Sequence, residues 1–228
     1  MPACIDPDLS YCLIDGHPLF LDLAGDRYFR LPATTEQAFL AHLDGAPLAS
    51  AAARMLVARG IAPAAEQASP DAAAGAATLD PHSESAMERA PHGPPGGRAL
   101  PLDVLRDVCT VRLQLKHRTL KDTLAAMVAY RRDRAGPPHA GPSPALLQRL
   151  CAAAGAFRNA RLYVPAATRC LPDSIALVRY LSRHGLFAHL VFGVMANPLS
   201  AHCWVQARHL VVNDTVGNAC AHTPIRVV

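Results

Sequence analysis

The sequence has few aromatic residues and no long apolar segment. Phe, Trp and Tyr make up only 5% of the 228 residues. No apolar run approaches the roughly 18 residues that a membrane-spanning helix needs. The first ten residues, MPACIDPDLS, have neither the basic start nor the apolar core of a secretory signal. We therefore expect no membrane association and a cytoplasmic location.

Cysteine is present without the spacing that disulfide scaffolds or zinc sites require. The seven cysteines are irregularly spaced, and no CxxC pair occurs among them. An odd number without regular spacing predicts reduced thiols, as in the cytoplasm. The phosphate-binding patterns GxxxxGK[ST] and GxGxxG are also missing from the sequence. We expect no cofactor or metal bound by this chain.

Charge is too evenly distributed to indicate a nucleic-acid partner. The net charge is +4, and 18% of the residues are charged against 51% apolar. The most basic stretch, residues 112–134, is interrupted by Asp122, Asp133 and many apolar residues. That pattern is typical of the exposed face of an amphipathic helix rather than of a basic stripe.

Residues 1–60 contain the signals of a small folded domain. Short apolar or aromatic runs at Tyr11–Ile14, Leu19–Leu23 and Arg27–Leu31 are separated by turn residues. This pattern predicts a three-stranded meander.

Two helices are predicted to follow these strands. Thr34 and Gln37 have the spacing of a capping box, which would start a helix ending at Leu43. A second helix is predicted from Leu48 to Arg59, with Gly60 just beyond its end.

The composition changes between residues 61 and 99. Ala, Pro, Gly and Ser dominate there and strong apolar residues are nearly absent, so we predict a flexible linker. From residue 100 to 228 a second domain is expected, beginning with helices. Its first apolar stripes have helical spacing, and Cys109 and Cys151 lie within such stretches as expected buried side chains. The stripes are Leu102, Leu105, Val108, Val111, Leu113 and Leu115, then Leu120, Leu124, Met127 and Val128, with a further helix over Leu146–Ala156.

Cys170 is distinguished from the other cysteines by its position at a predicted helix start. Pro172 fits a first helical turn, and Gly185 fits the residue after the last turn. The partial positive charge at a helix N-terminus favours thiolate over thiol. Cys170 is therefore the candidate nucleophile.

His202 and Asp214 are predicted to face each other across a hairpin. Leu186–Val194 is predicted to form a buried strand, and strands over Ala201–Gln206 and Leu210–Asn213 follow it. A three-residue loop between the last two would place His202 opposite Asp214 on one face. A slip of one residue would separate the pair.

A cysteine, a histidine and a carboxylate together make a thiol nucleophile. The histidine takes the thiol proton, and the carboxylate orients the imidazole and stabilises its charged form. Cys170, His202 and Asp214 are thus predicted as a catalytic triad. Zinc ligation by His202, Cys203, Cys220 and His222 is an alternative that strand alternation disfavours, because His202 and Cys203 should point to opposite faces.

The C-terminal part of the sequence, roughly residues 145–228, resembles the lasso-peptide leader peptidases, the B proteins of lasso-peptide biosynthesis. The matching segments are RCLPDSIAL, RHGLFAHLVFGV, NPLSAHCWV and VVND. The resemblance implies a papain- or transglutaminase-like domain with a helical subdomain and an antiparallel sheet. It places the nucleophile, base and orienting carboxylate on Cys170, His202 and Asp214.

The N-terminal segment DGHPLFLDLAGDRYFRL is similar to small winged-helix-like domains that bind leader peptides. The resemblance implies an α+β protein with such a domain at residues 1–60. A leader peptide would add as a strand to the third strand, so Arg27, Tyr28, Phe29, Arg30 and Leu31 are the expected peptide-binding residues.

The resemblance implies a cysteine endopeptidase that removes the leader of a lasso-peptide precursor. The core peptide would pass to an asparagine-synthetase-like lasso cyclase, and any ATP requirement is expected to lie with that partner. Two alternatives remain from the residues themselves. One is an acyltransferase or transglutaminase that uses the same triad on an amine, and the other is a peptide-binding scaffold with an inert triad.

Overall fold

The computed structural model describes residues 6–45, 51–58, 60–61, 79–89, 101–138, 141 and 143–228. The chain divides into two compact units, Met1–Thr78 and Leu79–Val228. Both units combine helices with a sheet, which confirms the predicted α+β class. Among the described residues, no helix has the length and apolarity needed to cross a bilayer.

The N-terminal unit is built on a three-stranded antiparallel sheet. Its strands β1 (Leu9–Ile14), β2 (His17–Asp22) and β3 (Arg27–Arg30) follow one another in space as in sequence, which confirms the predicted meander. The loop between β1 and β2 is Asp15-Gly16, and both residues have positive φ. Two-residue hairpins favour this conformation because its twist matches that of the strands.

Helices α1 (Ala33–Leu43) and α2 (Ala51–Ala58) complete this unit. The predicted capping box is wrong, because Pro32 occupies the N-cap and its carbonyl accepts the N–H groups of Thr35 and Glu36. Gly60 has a φ of +67°, as a residue after a helix end often does. Residues 48–50 and 59, which belong to the predicted second helix, lie outside the described residues.

The core of the N-terminal unit is aromatic. Phe20 and Phe39 are fully buried, with ring centroids 5.2 Å apart. Tyr11 packs edge-on against Phe39 at 5.1 Å, and Phe29 stacks on Phe20 at the same distance. A chain with few aromatic residues thus concentrates four of them where a small domain has little other apolar volume to bury.

The C-terminal unit begins its helical part with α3 (Pro101–His117), α4 (Leu120–Ala135) and α5 (Pro144–Arg161). Val108 and Val111 are buried as predicted, whereas Leu102, Leu113 and Cys109 are exposed and Val104 is buried. Asp107 of α3 is also buried, and it lies 2.5 Å from the guanidinium of Arg183 at the end of α6 (Cys170–Arg183).

Ten of the 14 residues of α6 are buried. It packs against α3, α4 and α5 on one side and against the sheet on the other. A helix enclosed in this way has little freedom to shift, so the position of its first residue is fixed by the whole domain.

Within the described residues, the sheet of the C-terminal unit has five strands: β4 (Glu84–Ser85), β5 (His189–Met195), β6 (Ser200–Ala207), β7 (Leu210–Val211) and β8 (Thr223–Val227). Their order across the sheet is β4-β7-β6-β5-β8. All neighbours are antiparallel except β4 and β7, which are parallel, so the sheet is mixed rather than antiparallel as predicted. The short helix α7 (Val216–Cys220) lies between β7 and β8 in sequence.

Residues 79–89 differ from the predicted linker, which is wrong for this stretch. They belong to the C-terminal unit, where Ser85 is buried and the Ala86 N–H donates to the Val211 carbonyl at 2.8 Å. The outer edge of a sheet carries backbone N–H and C=O groups with which a short polar segment can pair. Such a segment needs no apolar pattern, so its sequence does not predict a strand. The linker is also wrong at its first residue, because Ile61 is fully buried in the core of the N-terminal unit. Residues 62–78 and 90–99 of the predicted linker lie outside the described residues.

Candidate active site

Cys170 is the first residue of α6, as the sequence predicts, and it is exposed. Arg169 is the N-cap residue, and its side chain makes no capping hydrogen bond to the helix. Pro172 is buried in the first turn, where its missing N–H costs nothing. The thiol therefore lies at the positive end of a helix that the domain holds firmly.

A buried ion pair shapes the turn that precedes Cys170. The Arg161 Nε lies 3.0 Å from the Asp173 Oδ1, and both side chains are about 90% buried. Arg161 also donates to the Ala166 carbonyl at 2.9 Å, while Asp173 accepts the Arg169 N–H at 3.1 Å. The sequence analysis did not predict this network. Its signal in the sequence is a basic residue, Arg161, at the end of one helix and an acidic residue, Asp173, in the first turn of the next helix.

His202 and Asp214 are in direct contact. The His202 Nε2 is hydrogen-bonded to the Asp214 Oδ2. The same carboxylate accepts the Asn218 Nδ2 at 2.8 Å and the Thr215 N–H at 2.7 Å. Because Nε2 is engaged by the carboxylate, Nδ1 is the ring nitrogen left for the thiol. This is the orientation that a base for Cys170 requires.

The contact arises from a different hairpin register than the predicted one. Gln206 pairs with Val211 and Ala207 with Leu210, so the loop is Arg208-His209 and the predicted three-residue loop is wrong. A regular ladder in this register would put Asp214 on the other face. The strand ends at Val211 instead, and the bend that follows brings Asp214 to His202.

The three side chains are electrostatically coupled. Hydrogen bonds from Cys203 and His202 lower the pKa of Cys170 to about 4. The Asp214 carboxylate, and then Cys170, raise the pKa of His202 to about 9. Burial opposes ionisation of Asp214, yet hydrogen bonds from His202, Thr215 and Asn218 lower its pKa overall. Between these values the favoured state is a thiolate–imidazolium pair.

Cys203 is part of the site, although strand alternation predicts that it points away from His202. Its thiol hydrogen-bonds with that of Cys170, and this contact raises the pKa of the Cys203 thiol. Ser174, one helical turn after Cys170, donates to the Cys203 carbonyl at 3.3 Å and accepts from Asn213 at 2.9 Å. These bonds tie the helix that carries the nucleophile to the strand that carries the base.

The wall behind His202 is tightly packed. Gly193 lies opposite His202 in the sheet, and a Cβ there would come within 2.6 Å of the Trp204 ring. Trp204 stacks on His202 with centroids 6.2 Å apart, and the His222 ring lies 5.2 Å from His202. The imidazole is therefore held on two sides by rings, which limits its rotation.

Two of the alternative zinc ligands, Cys220 and His222, contact other groups. The Cys220 Sγ lies 3.2 Å from the His82 Nε2, and the His222 Nδ1 lies 2.9 Å from the Asn218 carbonyl. Within the part of the chain that the structure describes, no three His, Cys, Asp or Glu side chains are grouped to hold a metal ion.

The predicted peptide-binding residues lie in the N-terminal unit. Arg27–Arg30 form β3, an outer strand of the three-stranded sheet. Phe29 and Leu31 belong to the aromatic core, while Arg27 and Arg30 are exposed. Of the five predicted side chains, two therefore contribute to the core of this unit and two are exposed.

Comparison with known proteins identifies the family of the C-terminal unit. Residues 107–227, just over half of the chain, match the model of the transglutaminase-like superfamily. The chain belongs to this superfamily. The predicted transglutaminase-like domain is thereby confirmed. No solved structure matches the chain.

One curated relative is similar over a short stretch. The microcin J25-processing protein McjB of Escherichia coli is 44% identical over 45 residues, which are 20% of this chain and 22% of that protein. The chain thus matches about a fifth of the relative's length.

Proposed function

We propose that this protein is a cysteine endopeptidase that removes the leader of a lasso-peptide precursor. The observation that carries the proposal is the meeting of Cys170, at the start of α6, with the bonded pair His202–Asp214. The similarity to a microcin-processing protein supports a peptide precursor as substrate.

The proposed reaction has two steps, and the three triad residues act in both. The Cys170 thiolate attacks the scissile carbonyl and forms an acyl-enzyme, while His202 gives its proton to the departing amine. Water, deprotonated by His202, then releases the leader as a carboxylate. Asp214 keeps the ring oriented and stabilises its charged form. The backbone N–H of Cys170, at the helix start, is the proposed donor to the oxyanion.

The N-terminal unit is the proposed leader-binding part. An outer strand such as β3 can accept an extended peptide as an added strand, and adjacent pockets then bind alternate side chains of the peptide. Helix α2, whose Leu56 is fully buried in this unit's core, would form the other wall.

The proposed partners are the precursor and a lasso cyclase that receives the core peptide. We place any use of ATP with the cyclase. A cytoplasmic location is also proposed, because a thiolate nucleophile needs the reduced cysteine that this compartment maintains.

Incubation of the purified chain with a candidate precursor, followed by mass spectrometry, tests the proposal. Hydrolysis yields a leader with a free carboxylate and a separate core peptide. Transfer to an added amine would instead give a new amide, which would favour the acyltransferase hypothesis. If the precursor stays intact both with the chain alone and with the candidate cyclase and ATP added, only the hypothesis of an inert peptide-binding scaffold is left.

Leader binding at β3 predicts a local change in hydrogen exchange of the full-length chain. When the leader peptide is added, we expect slower amide exchange in residues 27–30, because a strand added beside β3 protects the backbone of the strand that receives it. The strand β1, on the other edge, is the internal control. Protection confined to β1, or no protection in this sheet at saturating leader, would contradict the proposed binding strand.

A further inference from the structure

Segment 79–89 carries two side chains that bind the backbone next to the Asp214 carboxylate. The Ser85 Oγ donates to the Asp214 carbonyl at 2.5 Å. The Glu88 Oε2 accepts the N–H of Val216, two residues after Asp214, at 3.3 Å. The backbone is therefore held at Asp214 itself and again just after it.

The hydroxyl of Ser85 is committed to this contact. Ser85 is only 2% exposed, and its oxygen already accepts the Met87 N–H at 2.9 Å. The single hydroxyl proton is then directed to the Asp214 carbonyl. Loss of the hydroxyl would remove the partner of both the Asp214 carbonyl and the Met87 N–H, in two hydrogen bonds that are partly buried.

Asp214 needs such support because it lies beyond the sheet. Strand β7 ends at Val211, and the last backbone bond to β6 runs from the Val212 N–H to the Val205 carbonyl at 2.8 Å. The carboxylate reaches His202 only through the bend that follows. A displacement of about 1 Å at such a site can reduce turnover by about a hundredfold.

We propose that Ser85 is a positioning residue for the His202–Asp214 pair and that Glu88 assists it. The expected effect of Ser85 on turnover rests on the proposed function, whereas its expected effect on the charge state of His202 does not. Residues 79–89 then complete the site although they precede the matched superfamily region, residues 107–227. A protein trimmed to that region would have the three triad residues without the support of Asp214.

The test is the pH dependence of Cys170 alkylation by iodoacetamide, followed by peptide mass. In the unmodified chain, reactivity should change where Cys170 ionises, at a pH near its pKa of about 4, and again near the His202 pKa of about 9. For Ser85→Ala we expect the upper step to move to lower pH, by less than in Asp214→Asn. If leader cleavage is observed, kcat should fall about tenfold.

Ser83→Ala is the matched control. Ser83 is exposed in the same segment and uses its backbone N–H, not its side chain, to reach the His209 carbonyl. The same hydroxyl deletion there should leave the alkylation profile unchanged. In an Asp214→Asn background, Ser85→Ala should cause no further shift, because its effect passes through that carboxylate.

Three results would overturn the proposal. One is a Ser85→Ala profile identical to that of Ser83→Ala. Another is an equal shift with and without Asp214→Asn, which would indicate a general loss of structure. If Ser85→Ala does not fold, Glu88→Ala at an exposed position replaces it, and an unshifted upper step there counts against the proposal. Since alkylation needs no precursor, failure of leader cleavage is recognised separately.

Discussion

Replacing Cys170 by alanine should abolish leader removal. We expect kcat/KM to fall by about 10⁴-fold or more, because the acyl-enzyme cannot form and the remaining residues supply only orientation and charge stabilisation. Binding of the precursor should be unchanged, since the proposed leader-binding strand lies in the N-terminal unit. Single-turnover cleavage assays and a separate titration with labelled leader measure the two quantities.

Cys109→Ala is the matched control for this variant. It makes the same substitution at an exposed cysteine on α3 and should leave cleavage at the wild-type rate. Cleavage by Cys170→Ala at more than a few per cent of the wild-type rate would rule out thiol catalysis at this residue. Weakened binding with intact chemistry would point instead to a scaffold role.

Replacing Asp214 by asparagine should both slow the reaction and change its pH dependence. The wild-type profile should be bell-shaped. Activity is lost below a pH of about 4, where the Cys170 thiolate is protonated, and above about 9, where the His202 imidazolium loses its proton. These limits belong to the coupled pair rather than to either residue alone.

Asparagine removes the strongest influence that raises the pKa of His202. The alkaline limit should therefore move to lower pH, while kcat falls by about 10²–10⁴-fold. Asp133→Asn makes the same isosteric change at an exposed position of α4 and should alter neither quantity. An unchanged alkaline limit in Asp214→Asn would show that this carboxylate does not act on His202.

The local pattern of the sequence was sufficient to predict the start of α6. Pro172 and Gly185 mark the two ends of a helix by their own backbone preferences, and such preferences act over one turn. The three strands of the N-terminal unit were predictable for the same reason, since turn residues and alternating apolar runs are local signals.

The way in which His202 meets Asp214 was not predictable from local patterns. Hairpin pairing depends on loop length, and the structure has a two-residue loop where three were predicted. The contact survives because β7 stops after Val211, an end set by packing against residues 79–89 and by the Asn213 side chain, which accepts the Val205 N–H at 2.7 Å. No residue type in VVND signals that early end.

The sequence by itself therefore determined the residues of the candidate site: which cysteine begins a helix, and which histidine and carboxylate follow it in order. Only the tertiary structure decided the geometry, through contacts between residues far apart in the chain. Ser85 lies 129 residues before Asp214, and Arg161 reaches Asp173 across a turn between two helices. Such contacts depend on how the helices and strands pack against one another, whereas the pattern of the sequence shows only the local preference of each segment for helix, strand or turn.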